Sequence, residues 1–339
     1  MSKVNRYILL NFLTTFASLF STLFLIMSIV FFIQIARVTS YIEITFFELI
    51  KLYLFMLPRV LLFVVPIAFF VALTMSFFRL SKENESIVIF TLGLSPTHIS
   101  RFFLALSALL SALLLVVAIV LIPKAAQLNT NFIDYKKTIA KLNLKGGEFG
   151  QKFSDWMVYI NGEISDKNGT TYKDITMYNS NTNRLILANT AKISNENGVI
   201  ELALNDGKFY DLKDNVYHKG SFSSMKIRTE QEGTISQTNG ILAYWQEAKT
   251  NQKRKKDLST YALVALFPLA STLFAFSFGI VTYRYDKGIV YVGTFGVLFG
   301  YFSLIMLLGA KPTIAIPAVF LAFFGVSALY FKTKILNKY

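Results

Sequence analysis

Cysteine is absent from this chain of 339 residues. That excludes a disulfide framework, a thiolate metal site and a cysteine nucleophile. Only His98 and His218 carry imidazole, too few for a histidine-based metal or acid–base centre. Charged residues make up 16%, well under the roughly 25% of soluble domains. The phosphate-cradling frame of Gly, four residues, Gly-Lys and Ser or Thr is missing too; Gly309-Ala310-Lys311-Pro312-Thr313 does not fit it. The chain is therefore not expected to hydrolyse ATP, to carry a cofactor or metal, or to act as an enzyme.

What is there is apolar. Hydrophobic residues reach 54%, with 33 phenylalanines. They gather in six runs, at 9–35, 52–78, 99–122, 258–283, 289–308 and 314–331. Each approaches or exceeds the roughly 20 residues that carry a helix across a bilayer. The first run is too long for a signal peptide and is followed by no small-residue cleavage site, so it reads as a retained span. Three runs precede and three follow a polar block, giving segments 1–122, 123–257 and 258–339. Net charge is +14, but the basic residues cluster at the ends of apolar runs. That is the signature of membrane topology and anionic lipid contact, and no nucleic-acid partner is expected.

The basic residues also predict orientation. Lys3, Arg6, Arg79, Lys82, Arg101, Arg284, Lys287, Lys332, Lys334 and Lys338 flank one side, against Arg37, Lys51, Arg59, Lys124 and Lys311 on the other. The richer side is expected in the cytoplasm, with both termini, and the polar block outside. Lys253, Arg254, Lys255 and Lys256 argue the other way, but long translocated segments weaken the rule.

Within the polar block, short β-prone runs alternate with turn residues. Strands are predicted over 156–160, 174–178, 184–188, 199–204 and 208–212, the last two joined by a tight turn at Asn205-Asp206-Gly207. This spacing points to a sandwich or jelly-roll. Helical connectors are predicted at 124–142 and 241–256. The fold class is thus a membrane α-helical protein of six transmembrane helices with an inserted all-β domain, sandwich or jelly-roll, on the outer side. Asn168-Gly169-Thr170 after Asp166 fits either a plain turn or a bacterial glycosylation acceptor.

Between the second and third runs, residues 79–100 read RLSKENESIVIFTLGLSPTHIS. Charged residues open a short helix, an apolar run follows, and Gly93 and Pro96 stop it. This is either an ordinary loop or, over 81–95, a coupling helix that docks into a soluble motor. The segment resembles the coupling helix of the LptF/LptG permeases, whose pattern is an acidic pair, an apolar run and Gly-Leu-Ser. Glu83, Glu85, Gly93, Leu94 and Ser95 fall on that pattern, with Ile87 and Phe90 in the apolar run. Arg37 after the first span, Pro58 and Pro66 in the second, Gly147 and Phe149 opening the polar block and the three–β–three layout extend the likeness over nearly the whole chain. Arg59 departs from it, standing where some members have an acidic residue.

The resemblance implies a permease subunit that extracts lipopolysaccharide from the inner membrane. Its implied partners are an LptB-like ATPase dimer, a second LptF/LptG-like permease, and the jelly-roll proteins LptC and LptA toward the outer membrane. Arg37, Arg59 and Lys311 are candidates for lipid phosphate contacts, since a guanidinium donates two parallel hydrogen bonds; plain snorkelling to interfacial water is the alternative for each. Gly293, Gly296 and Gly300 either pack within the chain or form a gate helix against a partner. A membrane-anchored assembly or sensor protein with a ligand-binding outer domain is the competing reading. Permeases of the FtsX or MacB kind place their outer domain after the first span, which this layout disfavours.

Overall fold

A helix of 37 residues is about 55 Å long, well beyond the roughly 30 Å hydrocarbon core. Two such helices open the chain: α1 (Lys3–Thr39) and α2 (Phe46–Lys82). The computed structural model describes residues 3–39, 44–91, 93–142, 151–153, 155–166, 169–196, 199–213, 216–228, 240–280 and 287–337. After α2 come a short helix α3 (Glu85–Thr91), α4 (Pro96–Val116), a π-helical turn (Val117–Leu121) and α5 (Ile122–Leu142). Beyond the β insertion follow α6 (Ile241–Gln246), a 3-10 turn (Glu247–Lys249), α7 (Gln252–Gly279), α8 (Lys287–Leu308) and α9 (Pro312–Phe331). Among the described residues six helices are long and apolar enough to cross a membrane, as the six runs predict. The predicted connector at 241–256 is not one helix. Asn251 caps α7 by accepting from the Lys253 amide at 2.9 Å, so Lys253 to Lys256 form the first turn of α7.

Contacts divide the chain into two units. One comprises residues 1–38, 45–129 and 238–339; the other comprises 39–44 and 130–237. In the helical unit α2 and α7 form the centre: 83% of the most apolar window of α7 is buried, against 11% of that of α1. Phe70, Leu73, Phe77, Phe103, Phe267 and Phe276 interlock there, with rings edge-on or tilted, as in Phe70–Phe267 at 5.5 Å and Phe77–Phe276 at 4.2 Å. Backbone groups in lipid need partners inside the protein. Pro268 interrupts α7, and the next amide, Leu269 N–H, donates to Ser111 Oγ of α4 at 3.3 Å. Buried Tyr301 of α8 donates to the Leu263 carbonyl at 2.8 Å.

The inserted unit is one antiparallel sheet of six strands in sequential order, β1 (Gln151–Phe153), β2 (Trp156–Asp166), β3 (Gly169–Asn179), β4 (Arg184–Glu196), β5 (Val199–Lys213) and β6 (Val216–Arg228). The all-β insertion is as expected, with meander connectivity among the described strands. Its core gathers Val158, Ile160, Ile175, Met177, Ile186, Leu202 and Leu204, with Phe209 and Phe222 packed against them. Asn168, Gly147 and Phe149 lie outside the described residues.

The tight turn expected at Asn205-Asp206-Gly207 does not form. These residues lie inside β5, which runs unbroken from Val199 to Lys213 and pairs on both sides. Asp206 does take the left-handed conformation (φ 50°), as does Asp174 (φ 50°). Asn and Asp tolerate that region. Here the kink serves to crease the sheet. The ladder skips one pair at each step of the row Asn161, Asp174, Asn189, Asp206 and Ser223. All five residues are exposed. At the row, two successive residues point outward, so Tyr172 and Ile175 are both buried, as are Ala188 and Ala191. The inward face therefore continues across the fold line although the strict alternation slips by one.

Across β5 and β6, Glu201 bonds Lys226 Nζ at 2.7 Å and Arg228 Nε at 2.9 Å. These two hydrogen bonds, Lys226 foremost, hold the carboxyl below its usual value of 4.5. Because the folded pKa is lowered, the stabilisation is complete above about that ordinary value and is lost as pH falls through the lower folded one. The protection of the Leu202 and Ile227 amides against hydrogen exchange, taken relative to their intrinsic rates, should thus fall in acid. In Glu201→Gln that acid-dependent fall should be absent; an equal fall in both proteins would contradict the assignment.

Candidate functional site

The elbow between α2 and α4 is built from its stop signals. Glu83 is the C-cap of α2, Asn84 turns the chain at φ 61°, and α3 starts at Glu85. Gly93 (φ 85°) ends it in a conformation that L side chains resist. Ser95 then caps α4, its hydroxyl accepting from the His98 amide at 3.3 Å, with Pro96 in the first turn.

The predicted apolar stripe divides between two faces. Ile89 and Ser86 are buried, and Phe90 and Leu94 pack on the helical core. Ile87 and Val88 point out, 47% and 56% exposed. The acids divide as well. Glu83 is exposed and 3.9 Å from Arg79 Nε, whereas Glu85 accepts from the Tyr7 hydroxyl at 2.8 Å. Two neighbouring uncovered aliphatic side chains on a helix anchored from beneath make a small, firmly held contact surface.

The candidate cations belong to three helices. Arg37 is in the last turn of α1, Arg59 lies four turns into α2, and Lys311 precedes Pro312 at the start of α9. All three are exposed. The length of α2 beyond the hydrocarbon core lets a residue four turns in sit near an interface. The guanidinium of Arg59 stands 5.9 Å over the ring of Tyr261 in α7.

A second cation, Arg254, stands nearby in sequence to Tyr261 and was not picked out as a single residue by the sequence. It lies 3.9 Å over the ring of Tyr244, hydrogen-bonds its hydroxyl and pairs with Glu247 at 3.5 Å. Burial first of all raises the Tyr244 phenol above its usual range, against the pull of Arg254. Trp245 packs edge-on to Tyr244 at 5.0 Å and donates its indole N–H to the Ile119 carbonyl at 2.9 Å. Ile119 sits in the π-helical turn, where the hydrogen-bond ladder is loosened. Arg254 and Tyr244 are 10 residues apart and Trp245 and Ile119 are 126 apart, and no local pattern signals either contact. Arg254 directs Nε at Glu247 and a terminal nitrogen at the Tyr244 hydroxyl; Arg59, exposed beside Tyr261, carries a planar guanidinium of the shape that suits a phosphate oxygen pair.

The glycines of α8 also part ways. A side chain at Gly293 would meet the ring of Phe278 in α7, so that glycine serves packing within the chain. At Gly296 and Gly300 a Cβ would meet nothing within 4 Å. Beside them Phe295 and Phe299 stack on each other, 68% and 66% exposed. This face of α8 is open to lipid or to another helix. Among the described residues no three His, Asp or Glu side chains gather as a metal site would require.

No curated protein matches the sequence. The family model for the lipopolysaccharide export system permease LptF/LptG matches residues 6–332. With six apolar helices and a β-sheet inserted in sequence between the third and the fourth, the chain belongs to the LptF/LptG permease family and is a multi-pass inner-membrane transport subunit.

Proposed function

We propose that this chain is one of two permease subunits of an ABC transporter that lifts lipopolysaccharide out of the inner membrane. In this reading residues 1–122 and 258–339 wall an apolar chamber, and 123–257 form a periplasmic jelly-roll domain that hands the lipid to LptC and LptA. An LptB-like ATPase dimer engages the elbow on the cytoplasmic side, where both termini lie. Glu83, Ile87, Gly93 and Ser95 shape its contact, while Phe90 and Leu94 seat the elbow on the helical core. Arg37, Arg59 and Lys311 receive the lipid phosphates. Gly296 and Gly300 let α8 slide against the second permease, and Gly293 keeps α8 on α7.

The observation that carries this reading is the pairing of an outward Ile87–Val88 surface with an inward anchor on the same short helix. The test is photo-crosslinking in the intact bacterial membrane from positions 59 and 296, one probe at a time. Lipopolysaccharide adducts are expected from both, and Arg59→Ala should weaken capture at 296 by about tenfold, the value of a charge-assisted bidentate contact. Adducts to bulk phospholipid alone would remove the substrate assignment.

A further inference from the structure

The first span is the least embedded of the six, with 11% of its most apolar window buried. Its middle aromatic residues, Phe16, Phe20 and Phe24, stack on one another along their own helix, at 5.7 and 5.5 Å. Between the ends Phe16, Leu19, Phe20, Leu23 and Phe24 are half-buried against the neighbouring core, and fully buried side chains occur only toward the two ends. Toward the C-terminal end, Ser28 shares a hydrogen bond with Tyr53 at 2.7 Å, and Phe31 packs on Val60 and Val64. Toward the N-terminal end, Ile8 and Phe12 are buried, with Phe12 edge-on to Phe69 and Phe103.

That N-terminal end also carries two directional bonds. Tyr7 donates to Glu85, the first residue of α3, at 2.8 Å. One turn on, and so on the same face, Asn11 Oδ1 accepts from Arg79 at 2.7 Å, and Arg79 lies 3.9 Å from Glu83. The Asn11 carbonyl accepts from Ser76 Oγ of α2 at 3.5 Å. Beneath, the hydroxyls of Ser81 and Ser86 bond at 3.2 Å and tie α3 to α2. Both acids of the elbow thus reach α1, one directly and one through Arg79. Apolar contacts between helices in lipid have no hydrophobic drive and can slide, whereas polar bonds fix position.

We propose that Tyr7 and Asn11 are positioning residues that make α1 follow the elbow, so that a push on α3 is passed to the first span. This rests on the coupling role proposed above, and it assigns Glu85 to transmission inside the subunit. Tyr7→Phe removes the hydroxyl and keeps the ring; Asn11→Ala removes the acceptor of Arg79.

The experiment uses the complete transporter in proteoliposomes, with lipopolysaccharide as cargo. ATP hydrolysis and lipid released are measured together for the unaltered protein, for the Tyr7→Phe and Asn11→Ala double variant, and for Ile87→Asp. Because the chain has no cysteine, spin labels at Ile29→Cys on α1 and Leu321→Cys on α9 report the movement of α1 on nucleotide addition. The double variant should keep the ATPase bound and hydrolysing while lipid released per ATP falls at least about fivefold, the factor of either one of its two lost hydrogen bonds. Its nucleotide-driven change in label distance should vanish. An unchanged ratio and an unchanged distance response in the double variant, with Ile87→Asp detaching the ATPase, overturn the relay and leave the coupling role standing. If Ile87→Asp keeps the ATPase attached, the coupling role fails and the relay with it.

Discussion

Ile87→Asp is expected to detach the protein from its ATPase while leaving the fold intact. The side chain is half exposed on the outward face of an anchored helix, so the folded chain meets no new buried charge. Surface changes of this kind usually alter stability by less than about 0.5 kcal/mol. In a closed interface the same carboxylate would be desolvated without a partner, at a cost of about 3 kcal/mol or on the order of a hundredfold in affinity. Co-purification in detergent and thermal unfolding, measured together, separate the two effects. Ile89→Asp is the contrast: Ile89 is buried in the helical core, and that variant should lose the fold itself. An Ile87→Asp protein that retains its ATPase in full would remove this surface from the interface.

Gly279→Val should strongly destabilise the helical unit. Gly279 ends α7 where it crosses α2, and an added Cβ would stand 2.9 Å from the Thr74 carbonyl oxygen, 3.3 Å from the Phe78 amide nitrogen and against Phe77 Cβ. Two of these neighbours are backbone in a packed helix, which cannot turn aside as a long side chain would. Overpacking of this kind costs about 3 kcal/mol. It falls on the contact between the two central helices. The expected readout is a fall of several degrees in the unfolding temperature in detergent, with poor membrane yield. Gly296→Val is the control, because a Cβ there meets nothing in the chain and stability should hold. Equal stability losses in the two variants would contradict this picture of the α2–α7 crossing.

The six spans were legible because length and apolarity suffice to mark a helix in lipid. The elbow was legible from its punctuation, Gly93 and Pro96. Its two faces were not: the run from Ser86 to Thr91 is short and mostly apolar, so spacing alone cannot tell Ile87 from Ile89. Asn205-Asp206-Gly207 misled because a hairpin turn and a crease need the same left-handed residue; only pairing on both flanks distinguishes them. The Arg254–Tyr244, Trp245–Ile119 and Tyr7–Glu85 contacts join distant positions, and a single sequence carries no signal for them.

The creased sheet sets a rule on how this domain can change in length. Its five polar positions line up only because each hairpin holds a fixed count of residues between one bend and the next. Losing a single residue between Asp174 and Asn189, or between Asn189 and Asp206, would slide one bend past its neighbours and turn half a strand greasy side out. Insertions are absorbed without that penalty only at the hairpin tips, in whole pairs of residues.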